Sequence, residues 1–280
     1  MIHRYGFYKN FRSLKLYRNP DPSKSRWNRL VIPTNEVVLP SWEKKTSKHA
    51  GSPFRSWGYA GSFDGVDDYV EVPDSESLDV VGEFALEVVF KGKISKDHWI
   101  LIDKGITSGN SWYFYCDHPG LMNDFVVFLN GSRYDHTLGD ILADDTWYHM
   151  VWTVSGEGIK GYVNGELKGT WSEPTQVGAN DYPLYLGRFG KEEPTYFNGI
   201  IALVRIYNRA LSGDEVQALY NDPQNPPLDG LVLWLDKDTW DWESGKWRDK
   251  SGRGNHGTIH GVSKALPPLE AKFYEPKVVG

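Results

Sequence analysis

Residues 62–72 read SFDGVDDYVEV, and this stretch indicates the fold class of the 280-residue chain. Its first part is acidic and contains glycine, a composition typical of a tight turn, because Asp and Gly tolerate the backbone angles that turns need. Its last four residues, Tyr69-Val70-Glu71-Val72, place an apolar side chain at every second position, which is the period of a half-buried β-strand. A turn that leads directly into such a strand indicates antiparallel β-structure.

The same combination of turns and strands continues from about residue 55 to residue 210. Two apolar segments end in Asn-Gly, at 130–131 and 164–165, and this dipeptide favours a type I′ hairpin turn. Short strands at intervals of about 8–12 residues are typical of an antiparallel sandwich or barrel. The most apolar of them covers 147–154, where His149 is predicted to be a hydrogen-bonded structural residue.

One short helix is predicted near residues 212–220. Ser212 is followed three residues later by Glu215, the capping-box spacing that begins a helix, and apolar residues come next. A Pro-rich break at 221–229 ends this unit, and two further short strands are predicted after it, at 231–235 and around 258–262.

Several of these segments together resemble the laminin-G-like, concanavalin A-like lectin and glucanase jelly-roll superfamily, over about residues 60–222. The segments that carry the resemblance are 62–72, 147–149, 162–165 and 197–212. The resemblance implies an all-β, two-sheet antiparallel jelly-roll sandwich, assigned here to residues 55–222. It also implies a glycan or protein ligand and, in many members, a calcium ion at the rim.

Residues 230–262 resemble the opening strands of such a domain, although in the family these strands usually come before the 62–72 stretch. Residues 228–262 are therefore predicted to complete the sandwich, and the inserted strand contains Leu231, Leu233, Trp234 and Leu235. We favour insertion within the same chain, because intramolecular pairing has the higher effective concentration. Donation of the strand to a neighbouring copy is the alternative.

The candidate calcium ligands are Asp64, Asp67 and Asp68, because clustered carboxylates can hold Ca²⁺ together with backbone oxygens. The alternative is that they are turn residues feeding a strand. The family commonly carries an Asp-Glu pair where this chain has Ala202 and Leu203, and the resemblance places that Asp near the rim calcium. Calcium is the single candidate cofactor, and none is required.

Aromatic residues in predicted loops are candidates for stacking against sugar rings. These candidates are Trp112, Tyr134, Trp171, Tyr182 and Tyr196. The alternative is that a sandwich of this size uses many of its aromatic side chains internally.

No enzyme is predicted. Glycoside hydrolases of related fold align carboxylates on one strand as Glu-x-Asp-x-x-Glu, and no Glu here is followed by Asp two positions later. The chain also lacks the Gly-x-Ser-x-Gly and His-Glu-x-x-His motifs of serine hydrolases and zinc proteases.

Charge is distributed unevenly along the chain. Residues 1–50 carry 11 Lys and Arg against 3 Asp and Glu, a net charge of +8, whereas the remainder carries −14. Residues 1–50 are therefore predicted to be an extended basic arm, and 263–280 an extended tail. The arm residues assigned to assembly contacts are Arg4, Lys9, Arg12, Lys15 and Arg18. Nucleic acid is disfavoured as a partner because the rest of the chain is acidic.

These features favour a structural or assembly protein, either a virion component such as a capsid decoration protein or part of a surface lattice. Its partners would be further copies of itself or other structural proteins. The alternative is a carbohydrate-binding or adhesion module, whose ligand binding either depends on calcium or does not. No signal peptide and no membrane-spanning apolar run is recognised, so the expected location is a virion or another extracellular assembly.

Overall fold

The computed structural model describes residues 59–93, 99–105, 111–117, 122–129, 132–139, 142–172, 177–190 and 195–265. The basic arm, the last 15 residues and the turn at 130–131 lie outside the described residues. Within them the chain forms two antiparallel β-sheets and an α-helix, so the predicted two-sheet sandwich is confirmed. Across this part of the chain no helix is long and apolar enough to span a membrane.

The strands are numbered in chain order. They are β1 Ala60–Asp64, β2 Tyr69–Val72, β3 Phe84–Gly92, β4 Trp99–Lys104, β5 Ser111–Asp117, β6 Met122–Leu129, β7 Ser132–Thr137, β8 Trp147–Ser155, β9 Gly158–Val163, β10 Glu166–Trp171, β11 Leu184–Leu186, β12 Asn198–Tyr207, β13 Leu231–Leu235, β14 Trp240–Asp241, β15 Lys246–Trp247, β16 Gly257–His260 and β17 Ser263–Ala265. A 3₁₀ turn covers Glu76–Leu78, and helix α1 covers Gly213–Asn221.

The first sheet has the strand order β10-β9-β8-β3-β12-β1-β17, with β13 also paired to β12. The second has the order β14-β15-β16-β2-β11-β4-β5-β6-β7. The inner faces of the two sheets form one core. Its largest fully buried aromatic side chains include Phe63, Phe84, Phe90, Trp112, Phe114, Phe125, Trp152 and Trp247.

Helix α1 covers the outward face of the first sheet. Its Val216 and Leu219 pack with Ala85, Val151 and Tyr207 of the sheet. The central strands β3 and β8 are therefore buried on both faces, which explains why their sequences are continuous apolar runs rather than alternating ones.

The predicted turn and helix signals are confirmed. Asn164 and Gly165 both have positive φ, at 52° and 80°, as a type I′ turn requires. Ser212 Oγ accepts a hydrogen bond from the backbone N–H of Glu215 at 3.2 Å, and Glu215 Oε2 accepts one from the Ser212 N–H at 2.9 Å. This reciprocal pair is the capping box expected from the sequence.

The segment after the Pro-rich break contributes strands to both sheets of the same chain. In the first sheet β13 pairs with β12, with Leu235 opposite Val204, and β17 pairs with β1. In the second sheet β16 pairs with β2. Residues 263–265 were expected to belong to an irregular extended tail, and this expectation is wrong. They form β17, because the edge of β1 is open for pairing.

A buried ionic triad connects three strands of the first sheet. Glu87, His149 and Arg205 are each fully buried. Arg205 Nη1 donates to Glu87 Oε2 at 2.9 Å, and His149 Nε2 lies 3.0 Å from Glu87 Oε1. An ionised carboxylate only accepts hydrogen bonds, so His149 is the donor and has the structural role predicted for it.

Candidate functional site

The outward face of the second sheet carries a half-buried group of aromatic and charged residues. Inward-pointing residues of β2 and β11 belong to the core; these are Val70, Val72, Leu184 and Leu186. Because side chains alternate along a strand, Tyr69, Glu71 and Tyr185 point outward. The register places Tyr185 directly opposite Glu71 and places His260 opposite Tyr69.

Five residues on this face form what we call the tyrosine–arginine cluster: Tyr69, Tyr185, Arg188, Tyr196 and His260. The ring centroids of Tyr69 and His260 are 4.2 Å apart, with planes inclined by 8°. The Arg188 Cζ atom lies 4.8 Å from the ring centroids of both Tyr69 and Tyr185. The Tyr196 ring is 6.5 Å from that of Tyr69.

The cluster is layered. Strands β16 and β11 flank β2 on opposite sides, so His260 and Arg188 reach the Tyr69 ring from opposite sides. The stacked His260 ring and the Arg188 guanidinium thus occupy much of the Tyr69 ring and leave less of it for a sugar ring. The groups that remain for a ligand are the tyrosine hydroxyls, the guanidinium N–H groups of Arg188 and the carboxylate of Glu71.

Electrostatics keep the Tyr185 hydroxyl protonated. Burial is the largest cause that raises the pKa of Tyr185, the Glu71 carboxylate raises it further, and Arg188 only partly opposes the shift. The hydroxyl can therefore donate a hydrogen bond at neutral pH as well as accept one.

Of the five stacking candidates, Trp112 is a core residue and Trp171 is partly buried against the core. Trp112 is 1% exposed, and its ring centroid lies 5.3 Å from that of Phe84, so its assignment to a sugar site is wrong. Trp171 packs against the core, with its ring 5.6 Å from that of Trp152. Trp112 leaves water because it points toward the opposite sheet, whereas Trp171 on the edge strand β10 stays half-buried.

The other three candidates lie apart from one another. Tyr134 is half-buried on the edge strand β7, opposite the core residue Val127. Tyr182 is 38% exposed and precedes β11, so the length of that strand separates it from Arg188. Among the five candidates, Tyr196 is the one that the structure brings into the tyrosine–arginine cluster.

Sequence reasoning missed Tyr69, Tyr185 and Arg188 as binding residues, since it searched loops for aromatic side chains. The signal was nevertheless present in the sequence. In the alternating strand at 69–72, Tyr69 and Glu71 occupy the positions opposite to the apolar Val70 and Val72, so they point away from the core. Their partner Tyr185 lies more than 110 positions away in the chain.

The acidic rim cluster consists of Asp64, Asp67 and Asp68, whose carboxylate oxygens lie within 4.8 Å of one another. Asp64 Oδ1 accepts the N–H of Val66 at 2.7 Å, and Asp68 Oδ2 accepts that of Asp64 at 2.9 Å. Burial, and after it the like charges of Asp64 and Asp67, raise the pKa of the Asp68 carboxyl despite that hydrogen bond. A divalent cation would relieve this repulsion, and hard carboxylate oxygens are the donors that Ca²⁺ prefers.

The position of Ala202 is remote from the acidic rim cluster. Asp64 pairs with Asn198, and Ala202 lies four residues farther along β12, which corresponds to roughly 13 Å at the usual rise of a strand. Ala202 and Leu203 pack instead with Ala60. Position 202 therefore does not contribute to this cluster.

Comparisons with known proteins agree with this fold. The profile of the concanavalin A-like lectin/glucanases superfamily, in its laminin G form, matches residues 64–217. A candidate carbohydrate binding protein from Bacteroides ovatus is similar in structure, with a TM-score of 0.59, 22% identity, and coverage of 76% of this chain and 60% of that one. The heptameric SAP-like pentraxin of Limulus polyphemus is similar as well, with a TM-score of 0.55, 16% identity, and coverage of 76% and 96%.

The chain thus spans about three fifths of the Bacteroides protein, and no curated protein sequence matches it significantly. At these identities the structural likeness concerns the fold, whereas the profile match covers more than half of the sequence. The chain belongs to the concanavalin A-like lectin/glucanases superfamily.

Proposed function

We propose that this protein is a non-enzymatic carbohydrate-binding module and that the tyrosine–arginine cluster, together with Glu71, is its binding surface. The observation that carries the proposal is the half-buried state of these residues on an outward sheet face. Tyrosine hydroxyls, a guanidinium and a carboxylate supply the donors and acceptors that sugar hydroxyls require.

The layered packing supports the proposal because it fixes the polar groups before a ligand arrives. His260, Tyr69 and Arg188 restrict one another's rotamers, so less side-chain entropy is lost on binding. The fold is also one that a candidate carbohydrate binding protein of Bacteroides ovatus adopts.

The proposal is tested by a glycan array, followed by calorimetric titration of the glycans that bind. Tyr185→Ala and Glu71→Ala should each weaken binding about tenfold or more, since each removes a hydrogen-bonding group from the surface. Tyr182→Ala is the matched control and should bind as the wild type does, because this exposed tyrosine lies outside the cluster. Equal affinity in all variants would overturn the assignment of the site.

Hydrolase activity is not expected, because the strand-borne carboxylate pattern of related glycosidases is absent from the sequence. The measurement is release of reducing sugar from a broad panel of β-glucans and galactans, with heat-inactivated protein as the control. Release above that control would contradict the non-enzymatic assignment.

We propose calcium as a ligand of the acidic rim cluster. Millimolar Ca²⁺ should raise the melting temperature relative to chelator, and at a concentration of about 100 times Kd the native state gains about 2.7 kcal/mol. Asp67→Asn should abolish the difference, whereas Glu157→Gln, whose side chain is 86% exposed elsewhere, should leave it intact. Identical melting curves of the wild type in Ca²⁺ and in chelator would exclude a site of useful affinity.

An assembly role, in a virion or surface lattice, is a second proposal. Its support is the uneven charge of the chain, because residues 1–50 carry a net charge of +8 and the remainder carries −14. Deletion of residues 1–50 should leave a folded β-protein that no longer assembles, as measured by light scattering. Unfolding of the truncated protein would show instead that the arm is part of the core, and unchanged assembly would contradict the role.

A further inference from the structure

Arg188 differs from the other arginines of the described part of the chain in its ionic partners. Four of the six arginines there form salt bridges: Arg133 with Asp135, Arg205 with Glu87, Arg209 with Glu215 and Arg248 with Asp241. Arg253 and Arg188 have no carboxylate partner within this part, and Arg253 is exposed on a loop. Arg188 is half-buried, so it loses hydration without gaining a counter-charge.

The aromatic rings of the cluster compensate for only part of this loss. The guanidinium carbon of Arg188 lies 4.8 Å from the centroids of both Tyr69 and Tyr185, within the range of a cation–π interaction. Such contacts use the face of the guanidinium, and a hydrogen bond links its edge to the Tyr185 side chain. The buried Nε atom of Arg188 has no hydrogen-bond partner among the described residues.

The guanidinium is therefore a cation held in a defined plane by two rings and one hydrogen bond, and it has more N–H donors than that one bond uses. The fork of N–H groups on a guanidinium matches the two oxygens of a planar carboxylate, and such charge-assisted pairs are about twice as strong as neutral ones. A bound carboxylate would supply the counter-charge that the described residues do not give Arg188.

We propose that Arg188 binds the carboxylate of an acidic saccharide, while Glu71 and the tyrosine hydroxyls bind the sugar hydroxyls beside it. The inference rests on the proposed carbohydrate-binding function and names the ligand class of the same surface. A ligand with isolated carboxylates fits better than a densely charged polyanion, because residues 51–280 carry a net charge of −14 and repel such polymers.

The experiment uses the full chain and a panel of uronate- and sialate-bearing oligosaccharides, each as the free acid and as its methyl ester, with sulfated and neutral oligosaccharides alongside. The wild type should bind at least one free acid about tenfold or more tightly than its ester. Arg188→Gln should remove this preference while binding of the ester persists. Arg253→Gln removes the same charge away from the cluster and should keep the preference.

A second variant separates charge from geometry. Arg188→Lys keeps the positive charge but lacks the planar fork, so it should lose most of the preference for the acid. Thermal unfolding of each variant shows whether the fold is intact, and ester binding reports on the rest of the surface.

The remaining outcomes are decisive in different ways. Equal binding of acid and ester by the wild type, tighter binding of sulfated sugars, or a preference retained by Arg188→Gln would overturn the role of Arg188 and leave the proposed function standing. Binding of no saccharide at all would overturn both.

Discussion

Replacing Leu235 by aspartate should lower the free energy of unfolding by about 4 kcal/mol or more. Leu235 is fully buried in the core shared by both sheets, so the substitution removes its packing and buries a charge without a partner. A domain of this kind has a total stability of about 5–15 kcal/mol, and the loss is a large fraction of it. The measurement is urea denaturation followed by tryptophan fluorescence.

The matched control is Leu228→Asp, which places the same charge on a leucine that is 71% exposed in the Pro-rich connector. This variant should unfold within about 0.5 kcal/mol of the wild type. If Leu235→Asp keeps wild-type stability but loses oligomers, the strand is donated to a neighbouring copy. If it changes neither property, the pairing of β13 with β12 is not what stabilises the sandwich.

Replacing Glu87 by glutamine should cost about 3–5 kcal/mol, since it leaves Arg205 as a buried charge without a counter-charge. The carboxylate joins β3 to both of its neighbours, through Arg205 on β12 and His149 on β8. Glu157→Gln, on an exposed turn, is the control and should have almost no effect. Wild-type stability of Glu87→Gln would contradict the energetic role assigned to the triad.

The same triad predicts how stability depends on pH. Burial acts to raise the pKa of Glu87, but Arg205 and His149 outweigh it and hold the pKa of this carboxyl below its usual range. A depressed pKa in the folded state gives a contribution that is complete above the ordinary glutamate pKa and is lost as the pH falls through the folded value. Acid denaturation curves of the wild type and Glu87→Gln should therefore converge at low pH.

Local signals predicted the fold because they depend on neighbouring residues alone. Asn164-Gly165 specifies its turn, Ser212 and Glu215 specify the helix start, and the alternation at 69–72 specifies a half-buried strand. The short strand β17 was not predicted, because three residues are too few to show an alternation of apolar and polar side chains. It forms because it pairs with the edge of β1.

The candidate site was less predictable because it depends on which distant strands become neighbours. Tyr69 and Tyr185 meet through the pairing of β2 with β11, a non-local contact that no short motif encodes. Trp112 lies in the run Trp112-Tyr113-Phe114-Tyr115, in which every residue is aromatic. Apolar and polar side chains therefore do not alternate, and the sequence does not show which side of the strand faces the core. Its burial follows from the cross-strand register with β6, which places it opposite the core residue Val127.

The outward face of the second sheet should bind a saccharide through the tyrosine–arginine cluster. The most direct measurement is mapping of NMR chemical-shift changes while the best-binding oligosaccharide from the panel is titrated into the full chain. The largest changes should fall on the side chains of Tyr69, Tyr185 and Arg188, and Tyr182 should be unaffected. Changes centred on the acidic rim cluster, or spread evenly over the surface, would contradict this prediction.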